Sequence, residues 1–345
     1  MTDTMQAAVS SAADRIGIES LPVPDPGPGD VRVRVEACGI CGSDLHLLGM
    51  GGLPRGMPPG HEMMGVVESL GAGVSRVAVG QRVAIEPFRT CGTCRACRAG
   101  RGNLCREAKL LGVHAPGGLA ELVTAPAGRA FAVAEGLTAP VAALAEPLSV
   151  SLHGLRRVAL EPGQRVLVLG AGSVGLLTVL AARALGAGEV IVTARHPHQA
   201  ERAEALGADR VLREAEAEPM ALAGLGDQRE IDVVVETVGG AADTLNAAGV
   251  AVRPGGAVSV LGFFTSPVSL QTIPLMMKEV TLGFSYCYEH GDESADFADA
   301  LAILDRERDA AATLVTHELP LADVEHAFRI AADRKSGAIK VALRP

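Results

Sequence analysis

Tryptophan is absent, and aromatic residues make up 3% of the 345-residue chain. A platform on which bases or sugars stack is hard to assemble from so few rings. No apolar stretch reaches the ~18 residues that cross a bilayer, so no membrane partner is expected. Positive charge is also short. Thirty-one Lys and Arg stand against 40 Asp and Glu, a net of −9, and no basic run offers the face that a nucleic acid needs. Residues 1–15 lack a basic stretch followed by an apolar one, so no secretory leader is read and a cytoplasmic location is expected. No G-X-Y period accompanies the 41 glycines. At about 12% against a usual ~7%, they point to tight turns and close backbone approaches rather than to a collagen-like chain.

What is present suffices to fold. Hydrophobic residues make up 48% and charged residues 21%, which argues against disorder. At roughly 100–200 residues per domain, the length implies two domains. The seven cysteines, at 38, 41, 91, 94, 97, 105 and 287, form an odd set that suits metal binding better than disulfides in a leaderless chain of this size. Cys91, Cys94, Cys97 and Cys105 are the compact group. Two-residue gaps let neighbouring thiolates turn inward around one ion, and the fourth closes a tetrahedron at about 2.3 Å Zn–S. Four sulfurs leave no open position, so a structural zinc is expected. Arg95, Arg98, Arg101 and Arg106 are interleaved and offset the thiolate charge. A nucleic-acid zinc ribbon is the alternative, and the acidic chain argues against it.

Val31–Val35 alternates with period two and reads as a half-buried strand, with further strands at Met64–Leu70 and Val77–Ile85. The first ~147 residues look β-rich and glycine-punctuated, without a helix of useful length. The character changes after Pro147. Arg165–Leu169 is a continuous apolar run, as in a strand covered on both faces. Strands at Val190–Thr193, Ile231–Glu236, Ala257–Leu261 and Val280–Phe284 alternate with helices, among them Ser173–Leu185 and His198–Leu206. This is the pattern of an α/β fold with a doubly wound parallel sheet. Helices are expected again at Glu293–Asp305 and Ala322–Ala332, then a closing strand at Ala338–Leu343.

Gly170-Ala-Gly172-Ser173-Val174-Gly175 follows the first buried strand and opens a helix, the context in which GxGxxG binds a dinucleotide. Gly170 permits the turn, Gly172 lets a pyrophosphate approach the backbone, and Gly175 lets helix and strand pack. An NAD site places a carboxylate near the end of the second strand, for the ribose 2′-hydroxyl. Here that strand ends Thr193-Ala194-Arg195-His196, with no acid. A small residue followed by Arg admits and pairs with a 2′-phosphate, and His196 lines the same edge, so NADP is expected in preference to NAD.

Upstream lie Cys38-Gly-Ile-Cys41-Gly-Ser43-Asp44-Leu-His46, Gly60-His61-Glu62 and, before the domain junction, Glu146-Pro147. A thiolate, an imidazole and a carboxylate with a water-accessible position are the ligand set of a catalytic zinc. These runs, with the four-cysteine group, GAGSVG, the Glu-Pro-Leu-Ser-Val segment at 146–150 and Ser336–Lys340, resemble the zinc-dependent medium-chain dehydrogenases. The likeness spans essentially the whole chain and leans to the sorbitol and threonine dehydrogenase branch.

The resemblance implies a GroES-like β-rich catalytic domain from residues 1–147 and 289–345, with a structural zinc lobe at 88–108. A Rossmann dinucleotide-binding domain is implied at 148–288. It further implies an alcohol, polyol or ketone substrate, two zinc ions per subunit and a homo-oligomer, dimer or tetramer. Cys41 and His61 match metal ligands, and Glu62 or Glu146 completes the set. Cys38 is then apolar filling. Ser43 matches the hydroxyl that meets substrate oxygen, His46 the solvent end of the proton relay, and Asp44 the carboxylate that orients His61. Thr237, Val238 and Leu261-Gly262-Phe263 match contacts to the nicotinamide half, and Lys340 a cation near the pyrophosphate. Leu47, Leu48, Phe88, His114 and Phe264 are candidates for the substrate pocket. A zinc-free quinone or enone reductase of the same superfamily is disfavoured by the retained ligands. A non-catalytic binding protein on this scaffold is disfavoured by the complete relay.

Overall fold

The computed structural model describes residues 3–12, 15–217, 222, 224, 230–289 and 296–345. The chain opens with a hairpin, β1 (Thr4–Ala12) and β2 (Arg15–Pro22), and continues through β3 (Asp30–Gly39), β4 (Glu62–Leu70) and β5 (Arg82–Ile85). A short pair, β6 (Phe88–Arg89) and β7 (Lys109–Leu110), brackets the cysteine-rich loop, and β8 (Leu122–Pro126) and β9 (Ala130–Ala132) follow. The helix Ala145–Arg157 then leads to β10 (Arg165–Leu169), β11 (Glu189–Thr193), β12 (Arg210–Leu212), β13 (Val233–Glu236), β14 (Ala257–Val260) and β15 (Thr281–Phe284). The chain closes with β16 (Val315–Pro320) and β17 (Lys340–Arg344).

These elements form two compact units, residues 1–146 with 289–345, and residues 147–288. The first is built on a sheet ordered β16-β17-β3-β4-β5-β9, with β8 on β3. β3 alternates inward Val31, Val33 and Val35 with outward arginines, and its inward row sits in a core with Val67, Val83, Ile85, Leu119 and Val341. The last strand of the chain therefore packs beside one of the first. β17 pairs antiparallel with β3, Ala342 opposite Gly39 and Leu343 opposite Cys38.

The second unit is a parallel sheet ordered β12-β11-β10-β13-β14-β15. In β10, Val166, Val168 and Leu167 are all fully buried, as a strand covered on both faces requires. The strand order reverses between β10 and β13. That is the switch point at which open α/β sheets take their ligands, outside the carboxyl ends of the strands.

Two sequence expectations change, and a third is described only in part. The run expected as one strand from Val77 to Ile85 is extended only from Arg82, because Gly80 turns the chain at φ +86°. The front unit does contain a useful helix, Gly42–Gly49, too short for its periodicity to stand out. Of the helix expected from Glu293, residues 293–295 lie outside the described residues, and Asp296–Arg306 is helical. Among the described residues no helix is long and apolar enough to cross a membrane.

Candidate active site and metal centres

Strand pairing brings the front motifs together. β3 and β4 are antiparallel, with Gly39 opposite Glu62. The residues just past the end of β3 therefore lie next to those just before β4. Cys41 caps the helix Gly42–Gly49 from one side, and His61 enters from the other. One ligand atom each of Cys41, His61 and Glu62 lies within 4.8 Å of the other two. Asp44 is fully buried. Its Oδ2 accepts the Cys41 N–H at 3.0 Å, and its Oδ1 lies 3.5 Å from His61 Nδ1. One carboxylate thus holds the Cys41 backbone by a hydrogen bond and faces the His61 ring electrostatically. Ser43 Oγ is 3.4 Å from His61 Nε2. His46 is half-buried one helical turn beyond Ser43.

The electrostatics suit a cation. Burial alone lowers the affinity of His61 for a proton, but Asp44, Cys41 and Glu146 outweigh it and hold His61 well above its ordinary value. A buried pocket that attracts a proton so strongly is one where a divalent ion compensates the same negative groups. Thiolate, imidazole and carboxylate donors fit zinc. Glu146 is 5% exposed in the first turn of the helix Ala145–Arg157, and its charge acts on both His61 and Lys340. Cys38 is fully buried in the core of this unit, and burial pushes its thiol well up, as apolar filling should behave.

Lys340 departs from its expected part. Its ammonium is 3% exposed and donates to both oxygens of Glu62, at 2.7 and 2.6 Å, and to the Ile40 carbonyl at 3.1 Å. Its three protons are taken up inside the protein, which leaves no donor turned outward for a phosphate. Gly39 makes room for the pairing, since a Cβ there would stand 2.2 Å from Glu62 Oε2. Phe88 leaves the substrate-pocket set, because β6 buries it to 2%.

The cysteine loop closes on itself. Cys91 and Cys97 sulfurs are 3.9 Å apart, Cys94 and Cys97 3.5 Å, and Cys105 and Cys91 3.6 Å. Zn–S bonds of about 2.3 Å in a tetrahedron put sulfurs about 3.8 Å apart, so the four fit one zinc. Backbone N–H groups of Thr93 and Cys94 help lower Cys91 to about 6, favouring the thiolate that a metal needs. The interleaved arginines are differently employed. Arg98 donates to the Thr93 carbonyl, and Arg101 pairs with Glu289 at 3.0 Å.

In the second unit the glycine loop is built as its spacing suggests. Gly170 has φ +100°, and a Cβ on Gly175 would stand 2.0 Å from the Gly170 carbonyl oxygen. Beside Gly172 there is open space, where a Cβ meets nothing within 4 Å. Ser173 and Val174 begin the helix Ser173–Ala184, whose free amides and dipole suit a pyrophosphate. Thr237 Oγ1 donates to the Leu169 carbonyl at 2.8 Å, tying the loop after β13 to the one after β10 across the switch point. Val238 and Phe263 are exposed at the carboxyl ends of β13 and β14, with Leu261 and Gly262 half-buried beside them. After β11, Ala194 is buried, Arg195 exposed and His196 half-buried. His196 stacks on His198 at 5.5 Å, and burial together with His196 and Arg202 lowers His198.

Sequence reasoning missed Glu236. It is fully buried at the end of β13, where its Oε1 accepts from the N–H groups of Val238 and Gly239, at 2.8 and 3.0 Å, and from Thr244 Oγ1 at 2.6 Å. The available signal was an acid closing an otherwise apolar strand.

Residues 27–135 match the model of the alcohol dehydrogenase GroES-like domain, and residues 173–306 that of the zinc-binding dehydrogenase. The chain is 33% identical to the sorbitol dehydrogenase of Bacillus subtilis (strain 168), over 99% of this chain and 97% of that protein. It is 34% identical to the L-idonate 5-dehydrogenase of Vitis vinifera, over 96% and 93%. Among solved structures it resembles a zinc-binding dehydrogenase of Sinorhizobium meliloti 1021 bound to NADP. That pair has a TM-score of 0.87 and 31% identity, over 99% of this chain and 100% of that one.

Proposed function

The chain belongs to the zinc-binding dehydrogenases with an alcohol-dehydrogenase GroES-like domain, in their polyol dehydrogenase branch, and on that premise we propose an NADP-preferring dehydrogenase of polyol-like or secondary alcohols. It is a zinc-dependent oxidoreductase that moves a hydride between a nicotinamide dinucleotide and an alcohol or its ketone or aldehyde. The observation that carries this is the convergence of Cys41, His61 and Glu62. Zinc held there supplies a Lewis acid to the substrate oxygen, and the dinucleotide gives or takes the hydride.

The chain's own residues do the rest. Asp44 holds the Cys41 backbone and faces the His61 ring. Ser43 holds the proton of the substrate oxygen and passes it towards His46. The loop 170–175 and the following helix bind the pyrophosphate. Thr237, Val238 and the 261–263 segment border the nicotinamide half. Arg195 and His196 hold the 2′-phosphate, with no carboxylate at 194 to repel it. A second zinc sits among Cys91, Cys94, Cys97 and Cys105, giving two per chain, with Glu62 or Glu146 completing the first.

The working form is a homo-oligomer in the cytoplasm. Self-association is supported by Ile273, Met276, Met277, Phe284 and Tyr286, each more than half exposed. A panel of alcohols and ketones assayed with both cofactors tests the reading. Alcohol-dependent reduction with a higher kcat/KM for NADP is expected. A higher kcat/KM for NAD overturns the cofactor preference, and no reduction of either cofactor overturns the activity.

A further inference from the structure

Resting on the NADP reading of the dinucleotide site, we propose that His196 and His198 form an imidazole pair that takes up one proton when it meets the 2′-phosphate, so that the chain discriminates against NAD more sharply as pH falls. The two rings follow Arg195 on the edge to which that reading assigns the adenosine ribose. Their centroids are 5.5 Å apart and their planes 6° from parallel.

The local structure sets the pair. His196 is extended, at φ −112° and ψ 145°, and caps the helix Pro197–Ala205. Gln199 Oε1 accepts the His196 N–H at 3.2 Å, and Pro197 is pre-shaped for the first helical turn. The two rings are not equivalent. His198 Nε2 is buried without a hydrogen-bond partner, so a proton there would be a buried charge with nothing to pair it. Burial, His196 and Arg202 together hold His198 below its ordinary value, and Glu201 opposes them only in part. His198 is therefore the neutral ring, and the proton falls to His196, the half-buried neighbour of Arg195. The flat face of a neutral ring steadies a cation beside it.

Charges from the surrounding elements are engaged elsewhere. The helix packs against β12 and Ser173–Ala184. Arg210 of β12 pairs with Glu216 at 2.9 Å, Arg213 with Glu204 at 3.9 Å, and Arg183 with Asp209. Beside the pair itself stand Arg195 and the helix N-terminus, which attract an anion. A phosphate dianion favours the charged form of a nearby imidazole, and by linkage the proton strengthens the hold on the phosphate. NAD carries a hydroxyl at that position and gains nothing from the proton. Both histidines are thus specificity-determining residues, His196 through its charge and His198 as the ring that supports it.

The experiment is titration calorimetry on the full chain with adenosine 2′,5′-bisphosphate and with adenosine 5′-phosphate, which lacks only the 2′-phosphate. The ratio of their affinities is followed from about pH 8.5 to about pH 6.5, above the second ionisation of a phosphate at about 6. In the wild type the ratio should rise roughly three- to tenfold over that range, one linked proton being worth at most about tenfold per pH unit. His196→Asn should leave the ratio level. His198→Ala should blunt the rise, and His198→Phe, which returns a flat neutral ring, should restore it. Binding of adenosine 5′-phosphate reports that each variant is folded. A wild-type ratio that does not change with pH, a rise that persists in His196→Asn, or a rise indifferent to His198→Ala or unrestored by His198→Phe overturns the proposal. Equal affinities for the two ligands at every pH overturn the NADP reading as well, which is a separate result.

Discussion

At the scale of single residues, the candidate site is organised by a group outside the Cys41, His61 and Glu62 donors. Asp44 bonds the backbone of Cys41 and lies 3.5 Å from the ring of His61, so its charge acts on both. Cys41→Ser removes the softest donor and the anchor of this arrangement. Zinc analysis should fall from two ions per chain to one, with activity lost and the four-cysteine ion retained. Two ions remaining would show that Cys41 is not a ligand. Ser43 carries a different load. Its hydroxyl lies 3.4 Å from His61 Nε2, where it can hold a proton but adds little to metal binding. Ser43→Ala should therefore keep both zincs and lower kcat by roughly 10²–10⁴, the range for a lost proton-transfer group. A change confined to KM would make Ser43 a binding residue instead.

At the scale of elements, function is gathered at strand ends. Gly39, Glu62, Thr193, Glu236 and Val260 all close or open a strand, and the loops beyond them carry the chemistry. After β11, Arg195 is exposed, and in the proposed NADP reading it pairs with the 2′-phosphate. Hydrogen bonds to charged groups are worth about 1.5–3 kcal/mol. Arg195→Ala should accordingly lower kcat/KM with NADP by roughly 10- to 100-fold and leave NAD kinetics nearly unchanged. An equal loss with both cofactors would place Arg195 at the pyrophosphate instead. The same elements explain what was legible in the sequence. The β10 run and the glycine loop announced themselves because burial on both faces and a forced turn each leave a local mark. That Cys41 and His61 come together was legible from residue type and from the family resemblance. The Lys340–Glu62 pair was not, because its partners are joined only by strand register. The hairpin β1–β2 passed unnoticed because Met5, Ala7 and Val9 of β1 bury into a small core of their own, too brief a pattern to stand out among alanines and serines. Val77 to Gln81 looked like strand because apolar content says nothing about the turn at Gly80.

At the scale of the whole molecule, the chain's acidity and its exposed apolar residues make opposing demands. A net charge of −9 favours separate, soluble copies. Yet among the described residues β15 is an edge strand with one neighbour, and Phe284 at its end is 63% exposed. The preceding helix, Thr272–Met277, holds Ile273, Met276 and Met277 at 67, 71 and 77% exposure. Large apolar side chains presented beside an open edge invite pairing unless something covers them. Fully burying each such side chain is worth roughly 1.5–3 kcal/mol, so a few of them, buried in two copies at once, can offset the cost of association. Light scattering on the eluting protein should therefore give a mass that is a multiple of 35.4 kDa. Met276→Glu with Met277→Glu should shift that mass towards the single chain while both zincs stay bound, since neither residue belongs to the metal-holding unit. A wild-type mass of one chain at micromolar concentration would mean that these side chains face water in the working protein, and the oligomer would have to be given up.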